Sequence, residues 1–159
     1  RPLRREWLND SQRRAVAHLL GSRDRVILLA GRAGVGKTTL MQEAVEAIEE
    51  TGKKVLAFAP SAEASRGVLR GDGFSEAETV ARLLVDEKLQ HEAAGQVLWI
   101  DEAGLLGTRT MSQVFDLAEK IDARVLLTGD RKQHGSVERG AALRLLEEEA
   151  GLVPAEVKD

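Results

Sequence analysis

Short apolar runs punctuate the chain at positions 26–30 (VILLA), 55–59 (VLAFA), 97–100 (VLWI) and 124–128 (RVLLT). Each is continuous rather than alternating and partly β-branched, the pattern of a strand buried on both faces of a parallel sheet. Between them apolar residues recur at helical spacing, as Leu40, Met41, Ala44, Val45, Ala47 and Ile48, and again as Met111, Val114, Phe115, Ala118 and Ile121. Gly52 falls where a left-handed C-cap closes the first of these helices. Pro60 and Ser61 predict a turn, a helix from Ser61 to about Arg70 ends at Gly71 and Gly73, and one further helix from about Glu78 to Leu89 turns Val80, Leu83 and Leu84 inward. Upstream, Asn9 and Gln12 form a capping box for a helix whose buried side is Val16, Leu19 and Leu20 and which Gly21 ends. Downstream, Ala141, Leu143, Leu145 and Leu146 begin a last helix with an acidic, solvated end. Strands alternating with helices of this length imply right-handed crossovers and an α/β fold, an open parallel sheet with helices on both faces. Ligands in such sheets bind beyond the carboxyl ends of the strands.

At 159 residues the chain reads as one domain, residues 8–150, preceded by a basic arm (1–7) and followed by a tail (151–159). The apolar runs are too short to span a bilayer, and with Arg1 in first place both ends read as cut from a longer protein. The absence of cysteine removes disulfides, thiolate catalysis and cysteine-held metals, and fits a cytoplasmic compartment. The absence of tyrosine removes a tyrosine nucleophile, and His18, His91 and His134 are too scattered for a three-histidine metal site. A net charge of −3 argues against a surface that clings to nucleic acid all over, while leaving room for a local basic face.

The first apolar run ends in GRAGVGKT at positions 31–38, and an amphipathic helix follows it. Gly31, Gly34 and Gly36 allow successive backbone N–H groups to point inward at phosphate oxygens, with Ala33 and Val35 supplying further amides. Lys37 supplies the cation for the β- and γ-phosphates, Thr38 a hydroxyl for Mg²⁺, and Thr39 continues the helix whose positive dipole end faces the anion. The context of strand, loop and helix makes this a P-loop for ATP. Directly after the third run come Asp101 and Glu102, the first placed to hold Mg²⁺ and the second to orient and deprotonate an attacking water. The fourth run ends in Thr128, Gly129 and Asp130. Gly129 is expected to let the backbone turn sharply there, and Gln133 is suited to sensing the γ-phosphate.

The order LNDSQ, GRAGVGKTT, FAPSAEAS, ETVARLL, WIDEAG and LTGDRKQHGSVERG resembles the Q motif and motifs I, Ia, Ic, II and III of superfamily 1, RecD-like DNA helicases, from Leu8 to about Leu146. The runs QHGSVERGAALRLL and APSAEASRGVL are most similar to the helicase part of the MobF class of conjugative relaxases. The resemblance implies a RecA-like domain that binds ATP and Mg²⁺ and moves along single-stranded DNA in its parent protein. It implies that Gln12 reads the adenine edge, for which the capping role is an equal alternative, and that Gln133 couples the γ-phosphate to motion. It places Ser61, Ser65 and Thr79 at the DNA backbone, where helix capping is the competing explanation for each.

This chain departs from the pattern at Ala81, where RecD-like motors often carry His. Arg66, Arg70 and Arg82 offer phosphate partners, while aromatics for base stacking are scarce at 3% and Trp99 and Phe115 read as buried. In the family a second RecA-like domain supplies an arginine to the transferring phosphoryl group. The chain ends before such a domain, so it is expected to be feeble alone, and neither Arg131 nor Arg139 is nominated in its place. Two rival readings are a P-loop kinase, which lacks an arginine-rich lid and leaves Glu102 and Gln133 unexplained, and a non-hydrolysing nucleotide-binding module, against which the intact Lys37, Thr38, Asp101 and Glu102 argue.

Overall fold

A computed structural model describes residues 25–31, 37–129 and 155–157 of the chain. The elements run β1 (Val26–Gly31), α1 (Lys37–Glu50), β2 (Val55–Ala59), a π-helix (Glu63–Leu69), β3 (Glu78–Thr79), α2 (Val80–Val85), α3 (Glu87–Ala93), β4 (Val97–Ile100), a 3₁₀ turn (Ala103–Leu105), α4 (Thr108–Lys120), β5 (Arg124–Gly129) and β6 (Ala155–Val157). The described strands form one sheet in the order β3-β2-β4-β5-β1-β6, with every neighbouring pair parallel.

The continuous apolar runs divide their side chains between two cores, as the period of two in a strand requires. Leu28, Phe58, Leu98, Ile100, Val125 and Leu127 pack with Val80, Leu83, Met111, Val114 and Leu117 of α2 and α4 on one face. Ile27, Leu29, Ala57, Trp99 and Leu126 pack with Leu40, Met41, Ala44 and Ile48 of α1 and with Leu69 of the π-helix on the other. Fully burying each large side chain of this kind contributes about 1.5–3 kcal/mol, which is what holds helices against both faces. Trp99 is buried as expected, whereas Phe115 is only partly buried against the first core. Gly52 has the left-handed φ of 93° expected of a C-cap.

The segments flanking β3 depart from the sequence pattern. The expected helix over 78–89 is broken twice. Glu78 and Thr79 pair with Phe58 and Ala59 as a short edge strand, and Asp86 adopts an extended φ of −98° and ψ of 100°. The Asp86 carboxylate accepts from the Leu89 amide and caps α3, so a short polar side chain diverts the backbone where the apolar spacing alone reads as continuous. The helix predicted from Ser61 takes π rather than α hydrogen bonding over Glu63–Leu69, a rare geometry that recurs at functional sites. It is followed by Gly73, at a φ of 102°. β6 adds to the outer side of β1 within the stretch read as a tail, with Leu29 opposite Ala155. The helices predicted from Asn9 and from Ala141 lie outside the described residues. Among the described residues no helix is long and apolar enough to cross a membrane.

Candidate nucleotide and metal site

The carboxyl ends of β4, β5 and β1 stand side by side. The register sets Ile100 opposite Leu127, and Leu28 and Ala30 opposite Leu127 and Gly129, so Asp101, Gly129 and Gly31 come to one rim of the sheet. From β1 the chain continues to β2 on one side, while β5 is followed in sequence by β6 on the other. Ligands in open parallel sheets bind in the crevice beyond the carboxyl ends of the strands, and Lys37, the first residue of α1, stands at that rim.

The Lys37 ammonium lies 2.7 Å from Asp101 Oδ1. The Thr128 hydroxyl donates to the same oxygen at 2.7 Å and accepts from the Trp99 indole N–H at 2.8 Å. An indole N–H only donates and an ionised carboxylate only accepts, so the direction of the hydroxyl proton is determined: Trp99 to Thr128 to Asp101. Asp101 is 6% exposed and Thr128 2%, and a carboxylate so buried is stable as an ion only because a cation and a hydroxyl compensate it. The backbone of Asp101 is held as well, its amide donating to the Phe58 carbonyl at 2.8 Å. Among the described residues both side-chain contacts fall on Oδ1.

Glu102, half-buried, has φ 52° and ψ 40°, a left-handed conformation that costs a non-glycine residue about 1–2 kcal/mol. The chain turns abruptly there from β4 into the 3₁₀ turn, and Glu102 is thereby held at the strand's end instead of continuing the sheet. Gly129 is the last residue of β5, and the chain after it, where the sharp turn is expected, lies outside the described residues. A Cβ there would meet the Ala103 and Gly104 amide nitrogens at 3.5 and 3.6 Å, ordinary contact distances, so the rim of β5 lies against the turn that carries Glu102.

Thr38 is exposed on the first turn of α1, its hydroxyl donating to Asp72 Oδ2 at 3.3 Å; Thr39 is half-buried beside it. A buried carboxylate at a strand end and a hydroxyl on the adjoining helix turn are the oxygen donors that Mg²⁺ takes when substrate phosphates and water complete its shell, so Asp101 and Thr38 fit that ion. No cluster of three or more His, Asp or Glu side chains competes with them among the described residues. Gln12, Ala33, Gly34, Val35, Gly36 and Gln133 lie outside the described residues, as do Asp130, Arg131 and Arg139. Gly31 is described only as the backbone end of β1.

Two of the three residues nominated for DNA accept from backbone amides as caps do, and the third donates to a backbone carbonyl. Ser61 Oγ accepts from the Ala64 amide at 3.1 Å and Thr79 Oγ1 from the Arg82 amide at 3.1 Å. Ser65 is fully buried and donates back to the Ser61 carbonyl at 2.9 Å, which removes its hydroxyl from any surface contact. Arg66 and Arg70 do share a face: each donates to one oxygen of Glu78 at 3.0 Å. The Arg66 hydrogen bond, opposed by burial and aided by the Thr79 amide, holds the Glu78 carboxyl below its ordinary range. Arg82 instead pairs with Asp86 at 2.8 Å, which lowers the Asp86 carboxyl and raises the guanidinium. Sequence reasoning missed Trp99, Thr128 and Asp72 as site residues. A tryptophan in a buried strand was the available signal, because a buried indole N–H needs an acceptor.

The sequence profile of the AAA domain family matches residues 7–158. A probable conjugal transfer protein TraA from Sinorhizobium fredii is 33% identical over 159 residues, covering 96% of this chain and 14% of that protein. An ATP-dependent RecD2 DNA helicase from Deinococcus radiodurans is 31% identical over 152 residues, covering 92% of this chain and 21% of the helicase. The chain thus spans a small part of these relatives. Among solved structures, Bacteroides Pif1 bound to ssDNA superposes with a TM-score of 0.63 at 15% identity, over 96% of this chain and 42% of that one, a likeness of fold. With a parallel sheet, a lysine at the head of the helix after β1 and an acidic pair after β4, this chain belongs to the AAA domain family, among the RecD-like superfamily 1 helicase motor domains.

Proposed function

We propose that this chain binds ATP with Mg²⁺ and is the first motor domain of a DNA helicase, coupling ATP hydrolysis to movement on single-stranded DNA within a longer protein of the conjugative relaxase kind. The observation that carries the reading is the 2.7 Å pairing of Lys37 with the buried Asp101 at the crevice beyond β1, β5 and β4. A lysine at that position neutralises the β- and γ-phosphates, and Asp101 and Thr38 hold the metal. Bound Mg²⁺ supplies neutralisation of phosphate charge and orientation of the triphosphate. Lys37 and Asp101 would part when nucleotide binds, the ammonium pairing with phosphate and the carboxylate with the metal. Glu102, projected from the left-handed turn beside Asp101, orients the water and accepts its proton.

Single-stranded DNA and a following RecA-like domain are the partners of this reading. The second domain supplies the arginine that stabilises the transferring phosphoryl group, a contribution of about a thousand-fold or more in rate. The isolated chain therefore binds ATP but turns it over slowly and unwinds nothing. Calorimetric titration of ATP–Mg²⁺ into the chain and its Lys37→Ala variant tests the reading: binding that falls at least about tenfold on loss of the charge-assisted contacts supports it, and equal affinities overturn it.

A further inference from the structure

The loop that closes the π-helix touches Thr38 directly and is linked to Asp101 through Trp99 and Thr128. Asp72 Oδ2 accepts from the Thr38 hydroxyl at 3.3 Å. Two residues on, Phe74 stands edge-on to Trp99 with ring centroids 4.7 Å apart and planes at 81°, and Trp99 leads through Thr128 to Asp101. The turn is tied down independently of these contacts. Gln42 of α1 donates to the Asp72 carbonyl at 3.1 Å, the Asp72 amide donates to the Val68 and Leu69 carbonyls, and the Phe74 amide returns to the Leu69 carbonyl. Gly73 between them has a φ of 102°, a conformation that side chains rarely adopt. Asp72 is thus held beside Thr38 by the backbone and by α1, with Thr38 itself only one of its contacts.

We propose that Asp72 is a positioning residue for the metal: it accepts the hydrogen bond of the Thr38 hydroxyl, turning the oxygen lone pairs toward the cation, and adds negative charge beside the ion. A hydroxyl has one proton and two lone pairs, and a threonine that gives its proton to a carboxylate presents only lone pairs elsewhere. The Thr38 hydroxyl donates to Asp72, whereas Asp101 receives Lys37 and Thr128 at its Oδ1. A second carboxylate near the triphosphate also repels nucleotide that arrives without metal. The inference rests on the nucleotide reading above and extends it to a residue outside the motifs that identified the site.

The test compares ATP affinity in Mg²⁺ with ATP affinity in EDTA, by calorimetry, for the wild-type chain, Asp72→Ala and Asp72→Asn. Partners of metal ligands typically contribute 10–100-fold in metal affinity; Asp72 is partly exposed and its bond is long, so Asp72→Ala should lower the Mg²⁺ enhancement about three- to tenfold. Affinity in EDTA should stay equal or rise, which a merely structural role does not produce. Asp72→Asn, which keeps an acceptor and loses the charge, should fall between and guards against a misfolded alanine variant. In a Thr38→Ala background Asp72→Ala should lower the enhancement by less than it does with the Thr38 hydroxyl present, the charge effect alone remaining. An unchanged enhancement in folded Asp72→Ala and Asp72→Asn, or a full effect of Asp72 without the Thr38 hydroxyl, overturns the role of Asp72 alone. A wild-type chain that binds no ATP in either buffer overturns the nucleotide reading and this inference with it.

Discussion

Two carboxylates of this domain are held by basic side chains, and their surroundings make them opposites. Asp101 is buried at the end of β4, bonded at 2.7 Å to one lysine and at 2.7 Å to a threonine that is itself held by a tryptophan. Glu78 lies on the two-residue edge strand β3, clasped by two arginines whose side chains are 46% and 38% exposed. In the proposed reading the first pair exchanges partners with a ligand that compensates both charges at once, as a metal–triphosphate does, because leaving a charge unpaired at that depth is costly. The second is the easier to exchange with a phosphate, because its arginines are open to water. Burial makes a salt bridge selective in its partners, and exposure leaves it open to competition.

The largest effect expected from breaking this contrast is at the buried end. In a chain extended through the following domain, Glu102→Gln should lower ATP turnover about 10²- to 10⁴-fold while ATP remains bound, as loss of a general base does. Steady-state hydrolysis beside nucleotide titration checks it, and undiminished turnover would remove Glu102 from the chemistry. Thr128→Val keeps the shape and removes the donor to Asp101, and should lower stability by about 1.5–3 kcal/mol, the range for a hydrogen bond to a charged group. Urea unfolding of the isolated chain reads this, and a variant as stable as wild type would mean that Asp101 depends on Lys37 alone.

At the exposed end the effects are smaller and sensitive to salt. Glu78→Gln releases Arg66 and Arg70 and should raise affinity for single-stranded DNA about two- to fivefold at low salt, with the gain fading as ionic strength rises. Fluorescence anisotropy at two salt concentrations decides it, and weaker binding by the variant would make the clasp part of the DNA surface. The pH dependence follows from the lowered Glu78 carboxyl: its contribution to stability is full above the ordinary value of 4.5 and is lost as pH falls through the lower folded value. Wild type and Glu78→Gln should therefore differ in melting temperature at neutral pH and converge in acid. The least effect is expected from Arg82→Ala, which removes an i, i+4 surface pair with Asp86 and should leave the melting temperature nearly unchanged.

The strands, and the positions of Lys37, Asp101 and Glu102 at their carboxyl ends, were legible because their signals are local. A buried parallel strand needs a continuous apolar run, and positions 55–59 and 97–100 are strands with those limits. An acidic pair directly after such a run lies at a strand's carboxyl end whatever the rest of the chain does, which placed Asp101 and Glu102. Local pattern failed where polar side chains compete with apolar spacing for the backbone, as at Asp86, and where a residue's role depends on a partner far along the chain. Ser65 reads as a surface serine until packing buries it.

By itself, then, the amino-acid order determined a parallel α/β sheet and a lysine and carboxylates at its carboxyl rim, since strand burial, helix periodicity and the position of a residue after a strand are properties of neighbours in sequence. Tertiary structure alone decided that Trp99 reaches Thr128 across 29 residues, that Asp72 meets Thr38 across 34, and that Arg66 and Arg70 close on Glu78 while Arg82 does not. Those choices follow from strand order and from the irregular backbone after Ala59, where a π-helix, a left-handed glycine and a two-residue edge strand set directions that no periodicity encodes.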